Sequence, residues 1–498
     1  MTASDGATTP ILSGFYPDPS ICRVGEDYYL VTSSFELFPG VPIWHSRDMV
    51  TWSQIGNILD RSSQLDLIRS SAGSDGVYAP TLRHHAGRFW MTTTVANSFE
   101  RGPLIVSALD PSGPWTDPVY VDGLVGIDSD LVWDDDGTCH MTLSSYDAGA
   151  PRILSAPIDL ESGRLLGEVR EFWSGAGGLA PEAPHLYRHD GWWYLMLAEG
   201  GTAAGHAITM ARAESLDGPW QPHPANPILT HRGLEHPVQY TGHGDLVETP
   251  DGEWAMVYLG VRLRGFPGFH VNGRESFIAA IDWRDGWPYV VEDHYRVPLT
   301  DHGVVDDFSL PLGPCWVSIG RDASQRLETT ESRTSITAGE GEWDAFVGMR
   351  TRDDYWTATL EMETDHGSAA LTLRLSDEHF IDIRATGDRR EVVAASAGLK
   401  RVEAHPPATT DGTAHLFIRT VPASGNTLEQ GPDTIEVGEI ANGVPQVRYR
   451  LDGRHLSTEV AGGFTGRVVG VRALSGSVRV TRFTYTPEHN RTAASSVF

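Results

Sequence analysis

EAPHLYRHDGWWYLML, residues 182 to 197, reads as a β-hairpin: an apolar strand, a turn on Gly191 beside Asp190, and an aromatic-rich return strand. The same unit recurs as DPSICRVGEDYYLVT (18 to 32), YAPTLRHHAGRFWMT (78 to 92), Asp128 to Ser144, and HGDLVETPDGEWAMVY (243 to 258). A weaker element follows most copies, a strand with Ala or Ser, then an acidic residue, then Trp. It is read in HSRDMVTW (45 to 52), SALDPSGPW (107 to 115), ARAESLDGPW (211 to 220) and AAIDWRDGWP (279 to 288). LSAPIDLESG (154 to 163) lacks the Trp.

The first residues of the five copies lie 50 to 61 positions apart. Five such units predict five four-stranded blades closed into a β-propeller, which leaves only short, protected sheet edges. A solenoid has a shorter period, and a sandwich has no reason to repeat five times. The Gly-His and Trp-Asp pattern of protein-scaffold propellers is absent. After Pro298 the repeat stops, and VPLTDHGVVDDFSLPLGPC (297 to 315) has the content of a linker. Alternating strands beyond it, from Trp356 to Tyr485, fit a β-sandwich. The expectation is an all-β chain: a catalytic propeller over 1–300, an accessory sandwich over 301–490, and a polar tail over 491–498.

Composition narrows the partners. Thirty-eight Lys and Arg stand against 66 Asp and Glu, a formal charge of −28, so a nucleic-acid partner is disfavoured. No apolar run approaches the roughly 18 residues of a membrane span. Residues 1–10 lack the basic and apolar regions of a secretory signal, so the expected location is the cytoplasm. Cys22, Cys139 and Cys315 are too scattered for a disulfide framework or a zinc ribbon and are expected to be buried thiols.

If the units superpose by rotation, Asp18, Tyr78, Asp128, Glu182 and His243 take equivalent positions facing one axial pocket. Converging carboxylates oppose one another's ionisation, which structure alone seldom demands. Blades three and four are neighbours, so Asp128 and Glu182 are expected close together, with Asp18 across the opening. Glu182, beside a like charge and partly desolvated, is expected to hold a proton near neutrality, and Asp18 to stay ionised. An acid facing a base across a gap is the arrangement of an inverting glycosidase.

The segments YPDPS (16 to 20), VYAPTLRHH (77 to 85), GIDSDLVW (126 to 133), PEAPH (181 to 185), GHGDLV (242 to 247) and NGRES (272 to 276) closely resemble glycoside hydrolase family 43. The resemblance is to its β-xylosidase and α-L-arabinofuranosidase members with a C-terminal β-sandwich, and runs in order from about residue 10 to residue 300. It implies an exo-acting, inverting hydrolase on short oligosaccharides. By position it makes Asp18 the general base, Asp128 the pKa modulator and Glu182 the general acid. It makes Arg274 the arginine that binds the terminal sugar, and Phe35 and Tyr78 apolar walls. His243 matches a channel histidine that in some members helps hold calcium through water. No cofactor is required, no metal ligand is assigned beyond that option at His243, and a homo-oligomer is left open.

Departures are few. Ser276 stands where the family shows Thr. Asp130 competes for the place given to Asp128, since two residues along a strand share a face. The run Asp134 to Gly137 reads as a hairpin turn, lacking the ligand alternation of a calcium loop. His231, His236 and His243 match no zinc spacing. Trp44, Trp52, Trp115, Trp192, Trp193 and Trp254 are assigned to inter-blade packing. Phe464, in GGFTGRVVGV, is assigned to the core of the sandwich in preference to the alternative that the resemblance offers, a reach into the pocket like that of an aromatic in related two-domain members.

Overall fold

The computed structural model describes residues 8–65, 67, 73–146, 149, 151–330, 333–341, 343, 345–364, 366–407 and 412–488. The expected tail, 491–498, lies outside the described residues.

Each sequence repeat forms the two inner strands of one antiparallel four-stranded sheet. Blade one comprises Ser20–Val24, Asp27–Val31, Gly40–Ser46 and Ser53–Leu59. Blade two begins with Thr81–His85 and Arg88–Thr93, and blade three with Ile127–Trp133 and Cys139–Ser145. Blade four begins with Glu182–His189 and Trp192–Glu199, and blade five with Val238–Glu248 and Trp254–Arg262. The third strands bury on both faces against neighbouring blades, as in Leu104–Ala108, where all five residues are buried. Outer strands of blades two to four shrink to two residues, Val119–Tyr120, Arg170–Glu171 and Gln221–Pro222, in Pro- and Gly-rich sequence. A bridge between Leu12 and Ser276 ties the N-terminal segment to blade five and closes the ring.

Aromatic residues fill the blade seams as expected. Trp44, Trp115, Trp193 and Trp254 are buried, and Trp52 and Trp192 are half-buried at the periphery. Asp134 accepts from the backbone of Asp136 and Thr138 and forms the expected turn. His231 pairs with Glu292 at 2.8 Å and packs against His236, with ring centroids 3.9 Å apart. Cys22 and Cys139 are buried, but Cys315 is only half-buried, because it ends the exposed Pro- and Gly-rich segment that leads into the sandwich.

From Val304 the chain builds two facing sheets. The long strand Val468–Pro487 passes from one to the other: its first half pairs with Phe346–Arg350 and Gly367–Ser376, its second with Trp356–Glu363. The core between the sheets is largely aliphatic, with Leu371, Leu373, Ile381, Leu416 and Val471 fully buried beside the aromatic Trp356 and Phe483. Two features fix the sandwich on the propeller. Leu37–Phe38, from a blade-one loop, adds to the sandwich strand Trp316–Ile319. Beside it the buried Glu36 accepts from Arg374 Nη1 at 2.5 Å.

Candidate active site

The five blade-leading residues converge as the repeat predicts. Asp18, Tyr78, Asp128, Glu182 and His243 line one cavity of about 80 Å³, with Phe35, Arg274, Thr202 and Phe464 completing its walls. Local backbone makes this convergence possible. Asp18 (φ 55°), Asp128 (φ 57°) and His243 (φ 45°) are left-handed, as is Ala183 (φ 51°) next to Glu182. Non-glycine residues seldom adopt this region, and its clustering at one pocket marks strain held for a purpose. In blades three, four and five the strand register jumps at these residues, between Ile127 and Asp130, Glu182 and His185, and Gln239 and Gly244. Each jump is a β-bulge that re-aims a side chain out of the regular alternation.

The bulge also overturns one expectation. Asp130 does not share the face of Asp128. It points down the axial channel, where Oδ1 lies 2.9 Å from Arg83 Nε and Oδ2 accepts from Leu186 N at 3.2 Å. Period-two alternation fails because the extra residue of the bulge intervenes.

Asp18 is buried. Burial opposes its ionisation, but Arg274 and the Ser33 hydroxyl outweigh that and hold the carboxyl below its usual range. Arg274 donates Nη1 to Asp18 Oδ1 at 3.0 Å and to Thr202 Oγ1 at 2.9 Å. His243 Nδ1 stands 3.7 Å from Asp18 Oδ1, and burial pushes the imidazole down to about 3, so it is neutral.

On the far side, Asp128 Oδ2 accepts from Ala183 N at 3.1 Å, which locks blade three to the residue after Glu182. Burial, then the charge of Asp18, pushes the Glu182 carboxyl up to about 7. Burial, then Glu182, then Asp18 raises Asp128 well above the ordinary range. The pair therefore retains a proton near neutrality while Asp18 is charged. Desolvation raises Glu182 as the sequence predicts, but the like charge that adds to it is Asp18 and not the expected neighbour Asp128.

Two wall residues and one histidine behind the wall escaped or were misjudged. Phe464 is not in the sandwich core. It is 37% exposed, its ring 5.8 Å from Phe35 and 5.5 Å below the Arg274 guanidinium. Gly462 and Gly463 carry the loop in left-handed conformation, and Ser74 of the propeller accepts from Phe464 N at 3.0 Å. A side chain at Gly466 would strike Asn272 O at 2.5 Å, so the loop seats directly on the segment that carries Arg274. Thr202 comes from a loop after the second strand of blade four, which carries no repeat pattern. His206, also from blade four, is buried, depressed to about 4 by burial, with Nε2 4.0 Å from Glu182 Oε1. Its signal in the sequence is Gly242, where a Cβ would overlap the His206 ring at 2.2 Å.

Phe35 and Tyr78 form the apolar wall as expected, with ring centroids 5.4 Å apart. A larger hollow, about 610 Å³, lies between blade one and the sandwich, lined largely by Pro, Leu and small residues around Pro314. Its carboxylates are Asp60 and Asp322, and it holds none of the blade-leading residues of the axial cavity.

An ionised carboxylate and a protonated one on one small, aromatic-walled cavity are equipped for acid–base cleavage of a polar bond. Comparison with known proteins agrees. Residues 7–288 match the profile of Glycosyl hydrolases family 43, and residues 306–485 that of the Beta xylosidase C-terminal Concanavalin A-like domain. The chain is 35% identical over 493 residues to a non-reducing end alpha-L-arabinofuranosidase of Bacteroides ovatus, covering 93% of this chain and 90% of that protein. It is 47% identical over 366 residues to a xylosidase/arabinosidase of Butyrivibrio fibrisolvens, covering 71% and 67%. The crystal structure of a xylan beta-1,4-xylosidase from Bacillus halodurans superposes with a TM-score of 0.84 at 29% identity, over 96% of this chain and 99% of that one. A five-bladed propeller with this site, followed by this sandwich, places the chain in glycoside hydrolase family 43.

Proposed function

We propose that the enzyme is an exo-acting, inverting β-xylosidase that releases terminal xylose from β-1,4-xylo-oligosaccharides. The observation that carries this reading is the facing of Asp18, held ionised by Arg274, and Glu182, pushed up to about 7, on one small cavity. Phe35, Tyr78 and Phe464 wall the terminal sugar, and Arg274 binds its hydroxyls. A cavity of about 80 Å³ suits a single terminal sugar, which supports exo action.

In the reaction Glu182 donates its proton to the leaving glycosidic oxygen. Asp18 accepts a proton from a water on the opposite face of the ring, and that water attacks the anomeric carbon of an oxocarbenium-like transition state. The sugar leaves with inverted configuration. Asp128 holds Glu182 in place through Ala183 N and keeps the pair's proton in the site. Water exclusion by the three aromatic walls strengthens each of these electrostatic effects.

A second reading keeps the site and changes the sugar to α-L-arabinofuranose. It is favoured by the arabinofuranosidase relative that matches almost the whole chain. Nitrophenol release from the β-D-xylopyranoside and the α-L-arabinofuranoside, compared side by side, separates the two. Proton NMR of the first-formed sugar tests inversion: a β-xyloside must yield α-xylose first, and β-xylose first refutes the assignment of Asp18 as base.

A further inference from the structure

Below the catalytic pocket lies a second tier of polar side chains, one set further along each inner strand. Ser20 follows Asp18 by two residues, Asp130 follows Asp128 by two, and Asp245 follows His243 by two; His185 and Tyr187 lie beyond Glu182, and Arg83 beyond Tyr78. The inner strand of a blade has an unpaired edge facing the axis, and its buried N–H groups need acceptors. Here the second tier supplies them across four of the five seams of the ring. Leu82 N donates to Ser20 Oγ at 3.0 Å, and Ile21 N to Asp245 Oδ2 at 3.0 Å. Leu186 N donates to Asp130 Oδ2 at 3.2 Å, and Leu246 N to Tyr187 OH at 2.9 Å.

Arg83 closes the remaining seam and also spans the ring. Its Nε meets Asp130 Oδ1 at 2.9 Å in blade three. Its Nη1 and Nη2 reach Asp245 Oδ2 and Oδ1 in blade five at 2.8 and 3.2 Å, a bidentate fork, and Nη2 lies 3.1 Å from His185 Nδ1 in blade four. Asp130 and Asp245 are fully buried, so each needs a cation.

A calcium ion beside His243 does not fit this arrangement. Calcium takes about 6–8 oxygen ligands at roughly 2.3–2.6 Å. The two carboxylates at this depth are both spent on the guanidinium, whose own positive charge repels a second cation. We propose that Arg83 is the fixed axial cation of this enzyme, doing with a covalently held guanidinium what a bound divalent ion would otherwise do. Arg83 is a positioning residue: by drawing blades two, three, four and five onto one point it sets the height and spacing of Asp128, Glu182 and His243 one tier above.

The activity arms of the test rest on the function proposed above; the thermal arms do not. The first measurement uses the full-length enzyme after exhaustive dialysis against EDTA. Its Tm and its kcat on nitrophenyl xyloside are expected to stay unchanged, and added calcium to move neither. A Tm that falls with EDTA and returns with calcium overturns the proposal, whatever the substrate proves to be. Arg83→Ala is then expected to lose about 10²-fold in kcat, the cost of a misplacement of roughly 1 Å, with KM nearly constant. Millimolar guanidinium or calcium is expected to restore both kcat and Tm, by filling the emptied place between Asp130 and Asp245. An unchanged kcat, or a loss that neither cation repairs, refutes the role. If Arg83→Ala does not fold, Arg83→Lys, which keeps the charge without the fork, is expected to show lowered kcat and unchanged KM; wild-type kcat in that variant refutes the need for the guanidinium.

Discussion

Replacing Glu182 by Gln is expected to make the protein more stable at pH 8 while removing its activity, and the size of the gain follows from the site. The carboxyl is raised from an ordinary 4.5 to about 7 by burial and by Asp18. In the unfolded chain it ionises near 4.5, whereas in the fold it keeps its proton until about pH 7. A raised folded-state pKa stabilises the fold below 4.5, and that contribution is lost as pH rises through 7. The difference, 7 − 4.5 = 2.5 in pH, corresponds to about 3 kcal/mol at roughly 1.4 kcal/mol for each tenfold change in proton affinity. Gln imitates the protonated acid in shape and does not titrate. Urea unfolding of wild type and Glu182→Gln at pH 4, 6 and 8 is therefore expected to show no difference at pH 4 and a gain of about 3 kcal/mol for the variant at pH 8, part of it shared with Asp128. A gain independent of pH would trace to packing and not to ionisation. No gain at pH 8 would mean that Glu182 ionises normally, and the acid role would fall with it.

The same proton sets the pH profile: kcat/KM is expected to rise through the lowered pKa of Asp18, hold, and fall above about pH 7 as Glu182 deprotonates. Glu182→Ala is expected to erase that alkaline limb and cost about 10²–10⁴-fold on xylobiose but far less on a nitrophenyl glycoside, whose leaving group needs little protonation; equal losses on both count against Glu182 as acid. Asp18→Ala is expected to abolish turnover of both substrates, since neither supplies its own base, and a surviving rate on the aryl glycoside would dismiss that assignment. Phe464→Ala opens the wall contributed by the sandwich and is expected to raise KM for xylobiose while leaving Tm within a degree or two, because the residue is exposed and outside the core; unchanged kinetics would return Phe464 to a passive surface position. Arg374→Met strips the buried Glu36 of its guanidinium partner and is expected to destabilise the chain by about 3–5 kcal/mol in denaturant unfolding, a loss that a solvated surface pair would not produce.

The propeller was legible because each blade repeats its own local instructions: a Gly turn, an aromatic return strand, and a polar residue at the axial end. The three carboxylates were legible for the same reason, since rotation turns equal positions in a repeat into neighbours in space. What stayed hidden depends on contacts between unlike segments. Phe464 lines the pocket only because Gly466 allows its loop to lie against Asn272, a meeting of residues almost 200 positions apart. Thr202 and His206 come from a loop and from the edge of a third strand, neither of which shares the pattern of the first strands. Arg83 stands inside a repeat and still carries no message in the sequence, because its meaning comes from two aspartates in other blades.

Asp130 is the most instructive error, for strand alternation is the rule that failed there and the failure is itself functional. A regular strand sends residues two apart to the same side, so Asp130 would join Asp128 as a fourth carboxyl in a pocket that already holds three. The left-handed residue at Asp128 and the register jump before Asp130 separate them, one to the pocket and one to the channel below. Blade five does the same with His243 and Asp245, where one imidazole faces Asp18 and the next carboxylate faces Arg83. Each strained residue costs of order 1 kcal/mol or more. In return one strand delivers two polar groups to two depths with different electrostatic surroundings: Asp128 is raised in the pocket by burial and Glu182, and Asp245, beneath it, is held below the usual carboxylate range by Arg83 against the cost of burial. A regular five-fold barrel of alternating side chains could not keep these apart, and the acid of the reaction would lose its proton to the pull of the same cation that pins the blades together.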